Sequence, residues 1–447
     1  MKITDKINME MMRKAWADKA DTSKSFLWDK EAALSPATQA QHPENDNNFL
    51  LYKLSGVYTP WTYTGFYDEC LSWHHSCYIG DWSWLNKMLL KGPNVWKCLE
   101  ASTIANYRNF KIGRAKHIIS IRPDGKLLGE GIAFRKSENE ALCTGGPTCS
   151  EGIMLQTKGF DVELKDMTAE IFNYHVQGPK SLFVLEKACG ESLRDISFGA
   201  FRSSKIAGRD VFVYRGGMSL EIGYELFGSS ADGSVIWNAV VEAGKEFGIR
   251  QLGMRSLNSN HIEAFFPTQY VDYMPAIFPK EMEAQIGQAY CSPVDFNWTK
   301  VIDFERDFPG KDVLLDEMKN PKRKPVTLEW NNDDVIAIYA SLFDKSQEPL
   351  EYMPMPNKFS EGMNASSYGF PVQAPDGQIV GYTMSRGYSA FFRRVLSIAL
   401  MAPQFTSPGA EVCVLYGSDN GRKMKVRATV QKVPYSTDHR RDDVTKM

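Results

Sequence analysis

Apolar and polar positions alternate with the two-residue period of a strand over 117–121, 131–134 and 141–144, and Pro123-Asp124-Gly125 between the first two is hairpin chemistry. A 3.6-residue period predicts a helix over 179–189, directly after Gln177-Gly178, and a second over 234–247 that Gly248 closes as a left-handed cap. Strand and helix signals alternate irregularly, which predicts an α+β architecture rather than a doubly wound parallel sheet. Beyond the basic, proline-containing stretch 319–325, strand-like runs recur at 325–328, 379–384, 411–416 and 425–431, with Asp376-Gly377 and Asn420-Gly421 as turn signals. These residues predict a small C-terminal β-barrel. Residues 21–50 are rich in Ser, Ala, Gln, Asn and Asp and contain Pro36 and Pro43, a loosely ordered approach to the fold. The expected division is an N-terminal extension (1–50), a core (51–320) and a barrel (321–447).

Composition narrows the function classes. With 447 residues, 43% apolar and 24% charged, the chain can bury more than one core. Lys plus Arg (52) nearly cancels Asp plus Glu (54), so no global field draws nucleic acid or an anionic membrane. The run 395–402 is far shorter than the roughly 20 residues of a membrane span, and residues 1–21 lack the apolar segment of a secretory signal. A cytoplasmic protein, monomeric or homodimeric, is expected. Eight cysteines without a CxxC pair read as reduced thiols, and Cys149, after Gly145-Gly146-Pro147, has no neighbouring base in sequence and reads as structural.

Candidate chemistry sits in two places. Tyr58, Trp61, Tyr63, Phe66, Tyr67, Trp73, Tyr78, Trp82 and Trp84 crowd one short region; such rings form core, and they also line pockets for flat or cationic ligands. Further on, Arg215-Gly216-Gly217-Met218 leads to Gly223-Tyr224-Glu225-Leu226, a carboxylate between apolar neighbours. A buried Glu there must find donors, and the amino-pyrimidine edge of a pterin offers two parallel N–H groups. The same spacing also suits a surface Glu on an amphipathic strand. Phosphate-loop, HExxH and GxSxG motifs are absent, and the adjacent His74-His75 cannot share a helical face, so no metal site is expected.

The order of several segments resolves this. Gln177-Gly178-Pro179-Lys180, the Gly-Tyr-Glu225 strand, Arg255 followed by Glu263, Phe304-Glu305-Arg306-Asp307-Phe308-Pro309-Gly310-Lys311-Asp312 and Val380-Gly381-Tyr382-Thr383-Met384-Ser385 resemble, in that order, the aminomethyltransferase (glycine-cleavage T-protein) superfamily. Within it, 326–344 and 387–394 are most similar to the tetrahydrofolate-dependent aromatic O-demethylases acting on vanillate and syringate. The resemblance implies a three-domain, ring-like, folate-binding α+β fold closed by a C-terminal β-barrel, the core being two intertwined α+β domains. It implies tetrahydrofolate as cofactor, Glu225 as the pterin-binding residue, Arg255 and Glu263 on the family's Arg and Glu motif, and Arg394 near the folate tail.

The departures shape the expected chemistry. The family's Asp-x-Ser-His-Met segment reads here Asp81-Trp82-Ser83-Trp84-Leu85, and its Asp-Asp pair reads Gly129-Glu130-Gly131, leaving Glu130 as the carboxylate for folate N5. The demethylases' Arg for a substrate carboxylate falls at Gly145-Gly146, and their Tyr at Leu257. Without a guanidinium fork a benzoate has no natural partner. The expected donor is therefore a neutral aryl methyl ether, held among Trp61, Asp81, Trp82, Trp84, Leu257 and Phe266. A methylenedioxyphenyl compound giving up a methylene group is the alternative, with a sulfonium or quaternary ammonium donor held by cation–π attraction after it. Glycine cleavage and folate binding without turnover stand as further alternatives. Tyr63, His74 and His261 are the candidates for protonating the leaving oxygen.

Overall fold

The computed structural model of the chain describes residues 33–41, 51–54, 57–146, 149, 152–153, 157–278, 289–353, 369–418 and 420–447. Apart from 33–41, and with Pro147 of the Gly-Gly-Pro segment, the expected N-terminal extension lies outside the described residues. Within 33–41, the strand Ala33–Leu34 pairs with Val57–Pro60, and the helix Pro36–Gln39 buries Ala37 in the main core.

That core belongs to a six-stranded sheet ordered Phe201–Ile206, Arg209–Arg215, Gly223–Ser229, Ile171–Gln177, Tyr78–Asp81 and Arg250–Leu252. Side chains alternate across it with period two. Phe172, Tyr174 and Val176 point to the face covered by helices Ser181–Cys189 and Gly233–Gly244, together with Ile79, Tyr224, Leu226 and Trp237. Each large apolar side chain buried in this way contributes about 1.5–3 kcal/mol. Both helices end on a left-handed glycine, Gly190 directly (φ 68°) and Gly248 (φ 75°) after one 3-10 turn, because those backbone dihedrals carry no Cβ penalty there.

A second, antiparallel sheet is ordered Ala115–Ile121, Leu127–Ser137, Glu140–Gly145, Asn86–Lys91 and Glu163–Asp166. Phe134 joins it to the first, its ring edge-on to those of Tyr214 and Phe227. The expected hairpin about Pro123-Asp124-Gly125 forms here, with Gly125 at φ 80°.

The C-terminal barrel is closed, ordered Lys324–Trp330, Arg394–Met401, Ile379–Ser389, Pro371–Gln373, Glu411–Tyr416 and Met424–Gln431. The apolar run 395–402 is one of its central strands, fully buried over most of its length. The basic stretch before the barrel is pinned rather than loose: Arg323 makes a two-pronged pair with Asp295 at 2.8 Å on both arms. After Gln431 the chain leaves the barrel, and Val444 is buried in the core of the first sheet. Among the described residues no helix is long and apolar enough to cross a membrane.

Candidate functional site

The face of the six-stranded sheet opposite its helices carries polar groups, and they are buried. Across four neighbouring strands, Gly80, His175, Glu225 and Tyr214 stand in register. Gly80 leaves room for Trp82: a Cβ there would come within 2.5 Å of the indole. The indole stacks flat on the His175 imidazole, ring centres 3.9 Å apart at 9°. Glu225 is 4% exposed, yet no N–H or O–H of the described residues donates a hydrogen bond to it; His175 Nε2 lies 3.4 Å away and is itself without a hydrogen-bond partner among the described residues. Two residues along the strand from His175, the Asn173 carboxamide is fully buried with neither Oδ1 nor Nδ2 engaged. Burial and the Glu225 charge push the Tyr214 phenol well above its ordinary range.

Such groups are costly to bury unpaired, each by about 1–3 kcal/mol or more for a charge. A heteroaromatic ring with a donor–donor edge fits this set, by the carboxylate it faces and the aromatic wall beside it. That is the character of a pterin.

Glu69 is the contrast. It lies wholly buried on helix Phe66–His75, and its two oxygens accept from Thr62 Oγ1 (2.7 Å), Tyr63 N (2.6 Å), Thr64 N (3.1 Å), Gly65 N (3.4 Å), Gly253 N (3.0 Å) and Ser256 Oγ (2.7 Å). This carboxylate ties the 62–65 turn to the start of helix Met254–Ala264, and sequence reasoning did not single it out.

Of the residues expected to line a pocket, Trp61, Trp82, Trp84 and Leu257 share one apolar cluster with Trp73, Tyr78 and Met218. Asp81 points the other way. It stands across from Tyr174 on the helix-covered face, where burial raises its pKa and where Tyr63 packs against Trp237. Phe266 is 37% exposed, just past the end of helix Met254–Ala264, and outside the cluster. Arg255, on that helix, rests over the Phe66 ring. Glu263 accepts from Trp73 Nε1 and pairs with His74 Nε2, both at 2.9 Å, and His74 stacks at 3.9 Å on Phe391 of the barrel. His261 contacts Ser385 Oγ at 3.1 Å, and Ser385 donates to Asp272, a buried link between the helix and the barrel. Both His74 and His261 thus sit at the core–barrel junction. Arg394 pairs with Glu329 at 3.1 Å beside a barrel cavity of about 400 Å³.

Glu130 lies on the second sheet, 2.8 Å from His117 Nε2. The imidazole meets Trp298 edge-on, and Trp298 in turn packs against Tyr273, a fully buried phenol whose OH has no partner among the described residues. Burial, reinforced by the Glu130 charge, pushes the Cys149 thiol up to about 12, so it stays protonated and inert. His117 was legible: the hairpin about residue 124 folds it back towards Glu130.

Lys87 is fully buried, donating to Ser83 O (2.6 Å) and Leu85 O (2.8 Å), and burial pushes its pKa down to about 7 against the pull of Asp81 and Asp166. It fixes the turn that carries Trp82 and Trp84. Among the described residues no group of His, Cys, Asp and Glu is arranged to hold a metal ion.

The model of the GCVT N-terminal domain matches residues 44–287, more than half of the chain. The chain belongs to that family. Sesamin methylene transferase of Sinomonas sp. is 29% identical, covering 89% of this chain and 94% of the relative. Syringate O-demethylase of Sphingobium sp. is 26% identical, covering 84% and 90%. An aminomethyltransferase of Corynebacterium aurimucosum is 26% identical over 62% of this chain and 75% of its own. Among solved structures, glycine cleavage system aminomethyltransferase T from Bartonella henselae shares the fold, with a TM-score of 0.69, 16% identity, and coverage of 91% of this chain and 98% of that one. The superfamily resemblance, the α+β class and the C-terminal barrel are therefore upheld, and this family member is an enzyme of the methyl- or methylene-transferring kind.

Proposed function

We propose that this enzyme moves a one-carbon unit from a neutral aromatic ether to tetrahydrofolate, the donor being an aryl methyl ether. The observation that carries the reading is Glu225: a buried carboxylate with no donor from the described residues, beside the stacked rings of Trp82 and His175. Tetrahydrofolate, when bound, supplies N5 as the acceptor. Glu225 accepts the paired N–H groups of the pterin edge, a charge-assisted bidentate bond that offsets its desolvation.

Trp61, Trp82, Trp84 and Leu257 take up the donor by apolar burial and stacking. Its neutrality follows from the backbone at the position where the demethylases carry an Arg. A Cβ at Gly145 would lie 2.7 Å from Glu130 O, so that position takes no side chain without a backbone shift, and a Cβ at Gly146 would meet the end of the Gln269 side chain at 3.0 Å. As the C–O bond breaks, its electron pair stays on the phenolic oxygen, which takes a proton. Glu130 and His117 hold the proton released at the acceptor nitrogen and return one to that oxygen. Tyr63, His74 and His261 are engaged elsewhere and receive no such role.

Methylene transfer from a methylenedioxyphenyl compound is the second reading, favoured by the 29% identity to a sesamin methylene transferase over most of both chains. Anaerobic incubation with tetrahydrofolate and a panel of aryl methyl ethers and methylenedioxyphenyl compounds, read by mass spectrometry of the folate, separates the two. Methyl-folate establishes the demethylase and methylene-folate the methylene transferase. Unchanged folate with every donor, though folate binds, overturns transfer from aromatic ethers.

A further inference from the structure

His175 occupies the centre of the polar row, and its protonation state follows from its neighbours. Gln177 lies two residues along the same strand face, wedged where a Cβ at Gly217 (φ 148°) or Gly223 would come within 2.5 or 2.8 Å of it. Its Oε1 accepts from the backbone N–H groups of Met218 and Ser219, both at 3.0 Å. Two backbone donors at one atom fix which end of the carboxamide is oxygen, since an NH₂ there would face N–H groups. Gln177 Nε2 is therefore the atom 3.0 Å from His175 Nδ1, and it donates. A donor at Nδ1 requires a lone pair there, which excludes the imidazolium and puts the single proton on Nε2. That Nε2–H has no hydrogen-bond acceptor: Glu225 Oε2 is 3.4 Å away and out of line.

The buried face thus presents a fixed N–H donor directly beside a carboxylate acceptor, and both are left open by the fold. We propose that His175 is a specificity-determining residue whose Nε2–H reads a ring carbonyl flanking the N–H pair held by Glu225, the 4-oxo group of a pterin. The inference rests on the proposed folate site and adds a residue to it. A 4-oxo heterocycle meets donor with acceptor at this point, whereas a 2,4-diaminopteridine sets an amino N–H against the imidazole N–H and is rejected. Trp82 stiffens the imidazole by stacking on it, and Gln177 locks its tautomer.

The test is anaerobic equilibrium binding by tryptophan fluorescence, with tetrahydrofolate and a 2,4-diaminopteridine as probes. The wild-type protein is expected to favour tetrahydrofolate at least 10-fold. His175→Phe, which keeps a ring against Trp82 but has no donor, is expected to lose about 10-fold in tetrahydrofolate affinity and to lose the preference; His175→Gln, whose amide reaches the same point, stays within about threefold. Equal wild-type affinities for the two probes overturn the proposal without any variant, as does unchanged tetrahydrofolate binding by a folded His175→Phe protein. If Glu225→Ala abolishes binding while His175→Phe leaves it intact, only the role of His175 falls. If the wild-type protein does not bind tetrahydrofolate, the folate reading falls with it.

Discussion

Glu69 and Glu225 are both glutamates buried to within a few per cent, and they are opposites in what surrounds them. Six donors converge on Glu69 from two separate segments, so its charge is fully used in holding helix Phe66–His75 to the turn before it and to helix Met254–Ala264. Glu225 receives none from the described residues, and His175 Nε2 beside it and the Asn173 carboxamide two residues along the His175 strand are open as well. A saturated carboxylate is part of the fold. An unsaturated one among unsaturated neighbours is a candidate binding surface, because the fold tolerates its desolvation without itself gaining a bond.

The largest effect expected is on stability at Glu69. Glu69→Gln presents an NH₂ to donors on one side and should lower the unfolding free energy by about 3 kcal/mol in urea titration, with function following folding. Glu225→Ala should do the reverse: the denaturation midpoint holds or rises, since an uncompensated buried charge is removed, while tetrahydrofolate affinity in fluorescence titration falls by on the order of 100-fold. Normal affinity in a folded Glu225→Ala protein would sink the assignment. If instead Glu225→Ala unfolds the protein, the contrast between the two carboxylates collapses.

Lys87 is a third buried charge, between these extremes, since its amine is hydrogen-bonded but to carbonyls alone. An unfolded lysine titrates near 10.4, whereas Lys87 in the fold is pushed down to about 7. Between those values the unfolded chain holds a proton that the folded chain lacks, so this group makes stability rise with pH, by up to about 1.4 kcal/mol per unit, and contributes no slope below about pH 7. Lys87→Met should remove that slope between pH 7 and 9, read as the difference between the two denaturation profiles. The smallest effect belongs to Arg394. Its pair with Glu329 is 39% exposed on the arginine side, so Arg394→Ala should change stability by less than about 1 kcal/mol. If Arg394 meets the folate tail, the same variant weakens tetrahydrofolate a few-fold, and more at low salt than at high.

Much of this was legible along the chain. The hairpin at 123–125, the two glycine-capped helices and most barrel strands follow from local period and turn chemistry. The strand Ile171–Gln177 shows where legibility stops. From Phe172 on, its residues alternate apolar and polar, which reads as one face to the core and one to water. In the fold both faces are buried, Phe172, Tyr174 and Val176 under helices, Asn173, His175 and Gln177 in the candidate site. Alternation reports which side chains share a face; it carries no information on what covers that face. For the same reason the aromatic crowd at 58–84 was visible as a cluster but not as two: Trp61, Trp82 and Trp84 share one apolar cluster, whereas Tyr63 packs in the main core against Trp237.

The sequence by itself determined the class of fold, the barrel, the superfamily and the carboxylate at Glu225, since each is written in local spacing or in the order of segments. Only the tertiary structure decided that Glu225 lacks donors from the described residues while Glu69 has six, and that the backbone N–H groups of Met218 and Ser219 turn Gln177 so as to fix the His175 tautomer. Those are properties of groups far apart in sequence brought within hydrogen-bonding distance, and no pattern along one strand or helix records whether a buried polar atom has met its partner.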